Sequence, residues 1–257
     1  MSDAVVAPLP PEESDARVLP LLTDDDVVAI RATLLSLSSQ WRTLGRVSHA
    51  SVLGLPAYSV RGESDYAARA RAVNEVLLAS FASLYSRLRD ALEPELQRRH
   101  RGDVSFSSDH ALPGFHLLFA DGGQADPRAW LAEPHWDSGF LNVPWMPELP
   151  ASLDISQLVS FTLPIALPSA GSGLAIWPVT SAMVMQSSVD ALDGHATIRA
   201  LIGDCEPTIH AYRVGHLFVH TGHHLHAVAP WAAVAGDERI TMQGHALHHD
   251  GRWRVFW

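Results

Sequence analysis

The sequence predicts a mainly β protein with flanking α-helices, built on a double-stranded β-helix (jelly-roll) core. Three observations favour this fold class. Segments with helical periodicity lie within residues 21–100, and short β-type runs divided by turn residues follow from about residue 104. The chain has 257 residues, enough for one β-rich domain with a single core. Helices followed by many short strands indicate a roll whose helices pack outside one sheet.

The domain organisation follows the changes in composition along the chain. Residues 1–20 are rich in Pro, Ala and acidic side chains, which predicts a loose tail. Residues 21–257 form the single predicted domain, with the helices in 21–100 and the jelly-roll core in 104–257. Residues 180–207 interrupt the strand pattern and are expected to form an insertion or a lid.

Two helices are predicted before the core. The first follows Thr23, a preferred N-cap residue, and the three aspartates after it favour a helix N-terminus. The second is expected to be capped by Ser64 and to end at Pro94, because proline disrupts a helix interior. Within each segment, apolar residues recur at three- and four-residue steps, so both segments are predicted to be amphipathic scaffold helices.

Nine strands are predicted in the core. Asp250-Gly251 separates the last two and favours a type I′ hairpin, whose two central residues need positive φ. The nine runs are DVSFSS, GFHLLFA, QLVSFTLPIAL, GLAIWPV, TIHAYRV, HLFVHTG, HAVAPW, RITMQGHALHH and RWRVFW.

The charge balance restricts the classes of partner. With 18 Lys+Arg against 28 Asp+Glu the net charge is −10, which disfavours nucleic acid. No run reaches the roughly 18 apolar residues of a membrane span, and the first residues do not resemble a secretory signal. The single cysteine, Cys205, excludes an intramolecular disulfide. We therefore expect a cytoplasmic protein with a small-molecule substrate, and the sequence does not indicate an oligomeric state.

A possible metal site begins with the stretch EPHWDSGF. His135 and Asp137 are two residues apart, so on a strand their side chains point to the same face. A third ligand is needed, and nine of the 15 histidines lie at or after position 210. His226 is favoured because the strand resumes there, whereas His223 and His224 directly follow a glycine and look like turn residues. Two histidines and one carboxylate have the composition of a facial triad, which holds Fe(II) and leaves positions open.

An anion anchor is predicted on a later strand. Arg239 and Thr241 are again two residues apart, and together they can clamp a carboxylate through the guanidinium and the hydroxyl. The alternative is an ordinary surface ion pair between Arg239 and a neighbour such as Glu238.

Taken together, these residues resemble a known family. His135 with Asp137, then His226, then Arg239 with Thr241 are similar to the pattern of the Fe(II)/2-oxoglutarate-dependent dioxygenases, over the predicted jelly-roll core. The resemblance implies that the first three ligate Fe(II) and that the last two hold the C5 carboxylate of 2-oxoglutarate.

The resemblance also implies an activity. 2-Oxoglutarate and O₂ would be consumed, succinate and CO₂ released, and an unactivated C–H bond hydroxylated. Halogenating relatives have a small residue in place of Asp137, so this carboxylate implies hydroxylation or a related oxidation. The substrate is expected to be a small metabolite, such as an amino-acid derivative or a natural-product intermediate. Trp136, Phe140, Trp145 and Trp177 are predicted to wall its pocket, with plain core packing as the alternative.

Two other classes fit parts of the pattern. A cupin-like isomerase, hydrolase or dioxygenase would use the same metal ligands without 2-oxoglutarate, and Arg239 and Thr241 would lose their role. A non-catalytic binding module would keep its activity when Asp137 is replaced. A serine nucleophile is not supported, because the sequence has no G-x-S-x-G motif.

Overall fold

The computed structural model describes residues 16–44, 50–60, 65–107, 110–120, 134–137, 155–183, 198, 200–203, 205–231 and 234–257. The helices of eight or more residues in these ranges are α1 (Asp24–Ser36) and α2 (Tyr66–Arg99). The strands are β1 (Arg17–Pro20), β2 (Arg42–Thr43), β3 (Ala50–Leu53), β4 (Asp103–Ser105), β5 (Gly114–Phe119), β6 (Leu158–Ala166), β7 (Gly173–Thr180), β8 (Thr208–Ala211), β9 (His216–Thr221), β10 (His224–Val228), β11 (Glu238–His249) and β12 (Arg252–Phe256).

The two helix starts differ in how they are capped. The N-cap predicted at Thr23 is confirmed, because its hydroxyl accepts the Asp26 backbone N–H at 3.2 Å while the Asp26 carboxylate accepts the Thr23 N–H at 3.0 Å. The same carboxylate binds Arg87 of α2 at 2.6 Å and so joins the two helices. Helix α2 begins at Tyr66, and the predicted cap Ser64 lies outside the described residues.

The prediction that Pro94 ends α2 is wrong, because the helix continues to Arg99. Leu92 and Leu96, on either side of the proline, are both fully buried, so the apolar face continues across it. Glu95 is 4% exposed and forms an ion pair with Arg99 at 3.2 Å. Burial and ion pairing therefore outweigh the cost of one lost backbone hydrogen bond.

The strands form two layers, which confirms the jelly-roll core. The large sheet follows the order β1-β9-β6-β11-β5-β3-β2, and β12 and β4 extend it beside β11. The small sheet has the order β10-β7-β8. Both pairings of the small sheet are antiparallel. Among the described strands of the large sheet, β12 and β4 form the parallel pair.

The two faces of the large sheet have opposite character. One face packs against α2 and carries fully buried apolar residues such as Phe115, Leu163 and Met242. The other face, which we call the site face, carries buried polar residues instead. Direct cross-strand partners place on it Ser160 and Thr162 of β6, His220 of β9, and Thr241, Gln243 and His245 of β11.

The small sheet covers the site face. Leu174 and Ile176 of β7 cluster with Phe218, which is the cross-strand partner of Thr162 on the site face. The alternate residues of β7, including Ala175 and Trp177, belong to a separate apolar cluster on the outer side. The space between the sheets is therefore polar on one side and apolar on the other.

Two differences from the sequence expectations concern the strands. Arg17–Pro20, expected to belong to the loose tail, form β1 because their backbone pairs with β9. Strands β2 and β3 were not predicted and extend the large sheet beyond β5. The hairpin predicted at Asp250-Gly251 is confirmed, with φ of 51° and 68° at the two residues.

None of the helices in the described ranges combines the length and apolar character needed to cross a membrane.

Candidate metal centre

Backbone hydrogen bonds bring the three predicted metal ligands together. His135 forms an isolated antiparallel bridge with His226, with N–H···O distances of 2.9 and 2.8 Å in the two directions. The backbone N–H of Asp137 donates to the carbonyl of Gly222 at 3.0 Å. The HxD segment is therefore held on the edge of the small sheet, beside β10, by main-chain contacts that do not depend on the side chains.

The side chains of these residues converge. One ligand atom from each of His135, Asp137 and His226 lies within 4.8 Å of the other two. Nδ1 of His226 lies 2.7 Å from the carbonyl oxygen of His224, so Nδ1–H donates to it. That leaves Nε2 as the ring's lone-pair site, and Nε2 lies 3.3 Å from Asp137 Oδ2. His224 itself lies in β10, where a turn residue was predicted.

The site is electrostatically matched to a cation. Burial alone would raise the pKa of Asp137, but electrostatic interactions with the neighbouring histidines, above all His226, hold it well below its usual value. Burial alone would lower the pKa of His226, but the effect of the Asp137 carboxylate is larger, so the pKa of His226 is raised. The carboxylate thus remains ionised, and it stabilises positive charge at the position between the two side chains.

Three site-face residues missed by the sequence reasoning surround this carboxylate. Ser160 donates a short hydrogen bond to Asp137 Oδ2, and its Oγ lies 3.0 Å from His245 Nδ1. The ring of His220 packs edge-on against that of His226, with centroids 5.0 Å apart. Burial lowers the pKa of both His220 and His245. Polar residues at alternate positions of the otherwise apolar runs LVSFTLP and ITMQGHA were the signal that could have identified this face.

The predicted anion anchor is buried rather than on the surface. Arg239 is 1% exposed and Thr241 is fully buried. The guanidinium donates from Nε to Ser172 Oγ at 3.2 Å and from Nη1 to Thr241 Oγ1 at 3.3 Å, while its buried Nη2 has no hydrogen-bond partner within the described part of the chain. No carboxylate of the described residues pairs with Arg239, since Glu238 binds Arg31 instead at 2.5 Å.

The predicted aromatic residues do not gather at this site in the described structure. Trp177 belongs to the outer cluster of the small sheet, and its indole N–H donates to the Cys205 carbonyl at 3.1 Å. Trp136 packs against the same cluster. Phe140 and Trp145 lie outside the described residues, as does most of the expected lid at 180–207.

Comparison with solved structures agrees with the fold. The chain is similar to an N-substituted L-amino acid dioxygenase from Burkholderia ambifaria AMMD, with 20% identity and a TM-score of 0.55, covering 95% of this chain and 86% of that chain. A structure of such a dioxygenase from the same organism in complex with alpha-KG matches at 17% identity and a TM-score of 0.52, with the same coverage. At these identities the likeness shows a shared fold. No protein-family model and no curated protein matches the chain.

The described residues fit both a divalent metal and an anion. Two imidazoles and one ionised carboxylate are donors that suit Fe(II). A buried guanidinium with an unsatisfied nitrogen suits the carboxylate of a bound acid, because a buried charge is costly unless it is paired.

Proposed function

We propose that this protein is an Fe(II)- and 2-oxoglutarate-dependent oxygenase that hydroxylates an unactivated C–H bond of a small metabolite, with release of succinate and CO₂. The observation that carries the proposal is the buried guanidinium of Arg239, which pairs with no carboxylate of the described residues, in the same fold as the His135, Asp137 and His226 cluster. A metal site alone would fit several classes of enzyme. The added anion anchor selects one that binds an acidic co-substrate.

The chain's own residues have separate roles in this proposal. His135, Asp137 and His226 hold the metal, while Arg239 and Thr241 hold the far carboxylate of 2-oxoglutarate. When bound, iron, 2-oxoglutarate and O₂ supply the oxidising chemistry. The protein positions these groups and the substrate, and the apolar side of the space between the sheets limits the access of water.

The substrate class is a proposal that rests on independent grounds. The chain is acidic, with net charge −10, which favours a small molecule over nucleic acid. The solved structure with the same fold is named for its action on N-substituted L-amino acids. We therefore propose an amino-acid derivative or a related metabolite as the first class to test.

A cupin-like enzyme that does not use 2-oxoglutarate is the alternative. In such an enzyme the charge of Arg239 would stay buried, 1% exposed, without an anionic partner. Burial already lowers the pKa of this guanidinium, which measures the cost of keeping it charged there.

The test is to titrate 2-oxoglutarate anaerobically into the Fe(II)-loaded protein and to record the visible metal-to-ligand charge-transfer absorption of the chelate. We expect a saturable band in the wild type, no band in Asp137→Ala, and a band that needs at least about 10-fold more 2-oxoglutarate in Arg239→Met. Arg87→Met, which removes an arginine on α2, is the matched control and should titrate like the wild type.

Iron binding without any band would overturn the proposal and favour the cupin-like alternative. A band that saturates equally in Arg239→Met and the wild type would remove Arg239 from the co-substrate site.

A further inference from the structure

Strands β2 and β3, at the edge of the large sheet, bring Arg42 onto the site face in addition to the polar residues already described. Arg42 of β2 is the direct partner of Val52 in β3, Val52 is the partner of His116 in β5, and His116 is the partner of Thr241 in β11. Directly opposed residues on adjacent strands point to the same face. These four side chains therefore form one row across the site face, which we call the cross-strand row. Neighbouring strands are about 4.8 Å apart, so the row spans about 14 Å between the Cα atoms of its ends.

Tyr58 packs against this row at His116. Its hydroxyl lies 2.6 Å from His116 Nε2, and the two rings are nearly parallel, with an interplanar angle of 4°. Tyr58 is 45% exposed, whereas Thr241 at the inner end is fully buried. His116 thus lies between the accessible Tyr58 and Thr241 of the predicted co-substrate anchor.

His116 is a neutral hydrogen-bonding group with unused capacity. Burial, reinforced by the charge of Arg239, lowers its pKa to about 3, so the ring is uncharged at neutral pH. Nε2 contacts Tyr58, a side-chain hydrogen bond with Gln243 partly opposes the fall in pKa, and the buried Nδ1 has no partner of ordinary geometry among the described residues. A buried ring nitrogen in this state is suited to a ligand's polar atom.

Arg42 brings a positive charge to the cross-strand row, and no acidic side chain of the described residues neutralises it. Its side chain is partly buried and donates to the carbonyl of Gly54, and no carboxylate among the described residues pairs with it. Burial, and then the like charge of Arg69, lowers its pKa. A partly buried guanidinium with no carboxylate partner among the described residues carries a charge that an anionic ligand would stabilise.

We propose that Arg42, Tyr58 and His116 form a substrate subsite that holds a carboxylate of the molecule to be oxidised. Arg42 pairs with the carboxylate, the Tyr58 hydroxyl donates to it, and His116 hydrogen-bonds an adjoining polar atom of the same molecule. This subsite differs from the Arg239 and Thr241 anchor, and it implies that the substrate is a small carboxylic acid. The inference rests on the proposed function, because it places the substrate beside the proposed oxidising site.

The test compares acids with their neutral amides. N-acetyl-L-leucine, N-acetyl-L-phenylalanine and hexanoate, each paired with its primary amide, are titrated calorimetrically into the anaerobic protein loaded with Fe(II) and 2-oxoglutarate, and again into metal-free protein. We expect at least one acid to bind the wild type about 10- to 100-fold more tightly than its amide.

Two variants assign that preference to the subsite. Arg42→Met should reduce the acid-to-amide ratio to about one, and Tyr58→Phe should reduce it in part, whereas the control Arg87→Met should keep it. No acid preference in the wild type, or a preference that survives in Arg42→Met, would overturn the inference.

The two proposals fail in different ways. If the charge-transfer band is absent while metal-free protein still prefers acids through Arg42, the oxygenase proposal fails and the carboxylate subsite stands. If the band forms and acids and amides bind alike, the oxygenase proposal stands and the subsite is wrong.

Discussion

Apart from the three candidate ligands, Ser160 is the residue that most directly shapes the candidate metal centre. It is 3% exposed, it donates to Asp137 Oδ2, and its Oγ also contacts His245 Nδ1. The backbone of Asp137 is fixed separately by Gly222. The hydroxyl therefore sets the orientation of the carboxylate but not the position of the strand.

Replacing this hydroxyl should weaken metal binding without unfolding the protein. We predict that Ser160→Ala raises the dissociation constant for Mn(II) about 10- to 100-fold, as loss of a hydrogen bond to a metal-binding carboxylate does elsewhere. The measurement is an anaerobic Mn(II) titration followed by electron paramagnetic resonance, with thermal unfolding of the metal-free protein in parallel.

Ser36→Ala is the control, because Ser36 lies on α1 and, among the described residues, its hydroxyl donates to the Thr33 carbonyl of the same helix. An unchanged Mn(II) affinity in Ser160→Ala would show that the carboxylate needs no such support.

At the residue scale the sequence pointed to the three side chains that the structure brings together, but not to their surroundings. The spacing of His135 and Asp137 is a local pattern, so it was readable without the fold. Ser160 and His245 contact Asp137 only because β6 and β11 are neighbours in the large sheet. That pairing joins residues 85 positions apart and leaves no local signal.

At the scale of single elements, α2 shows how packing overrides local preference. Pro94 was a sound sequence signal for a helix end, yet the helix continues for another turn. The sequence could not show that Glu95 would be buried among arginines from two elements, Arg17 and Arg98. The same limit applies to β1, because it becomes a strand by pairing with β9, which is distant in the sequence.

The ion-pair cluster around Glu95 should contribute measurably to stability. We predict that Glu95→Ala lowers the free energy of unfolding by about 1–3 kcal/mol, because it removes the carboxylate that pairs with Arg99, whose side chain is only 8% exposed. Arg17 and Arg98 are 46% and 44% exposed and can regain water, so the loss stays below that of a fully buried pair.

Urea unfolding of metal-free protein measures this difference. The control is Glu93→Ala, which removes an exposed carboxylate from the same helix and should change stability by less than about 0.5 kcal/mol. Equal effects of the two substitutions would mean that the cluster adds nothing beyond helix propensity.

For the molecule as a whole, a bound metal should act as a connection between the two sheets. His226 belongs to the small sheet, while the carboxylate of Asp137 is held from the large sheet by Ser160. Unfolding must separate these groups. Metal binding therefore favours the folded state alone.

We predict that Mn(II) at 100 times its dissociation constant stabilises the protein by about 2.7 kcal/mol. For a domain of this size this is a rise in Tm of about 5 to 10 °C. Differential scanning calorimetry should show the rise in the wild type and not in His226→Ala. His249→Ala, which alters a histidine at the β11–β12 hairpin, should respond like the wild type, and an equal rise in all three proteins would indicate adventitious binding.

The fold class itself was predictable from the sequence, because it depends on patterns that repeat along the chain. The nine predicted strand runs and the Asp250-Gly251 hairpin appear where periodicity and turn chemistry placed them. The extension of the large sheet by β2 and β3 was not predictable, because these strands have only two and four residues and show no clear alternation of polar and apolar side chains. They nevertheless bring Arg42 onto the site face.

The division of the large sheet into an apolar face and a site face has a consequence for how this protein can diversify. Strands β5 and β11 alternate between residues that hold the fold, such as Phe115 and Met242, and residues that lie on the site face, such as His116 and Gln243. Substitutions at the second set leave the first untouched, so chemical selectivity can drift over generations while the scaffold persists. A mutational library confined to the site-face positions would test new substrates with little loss of folding stability.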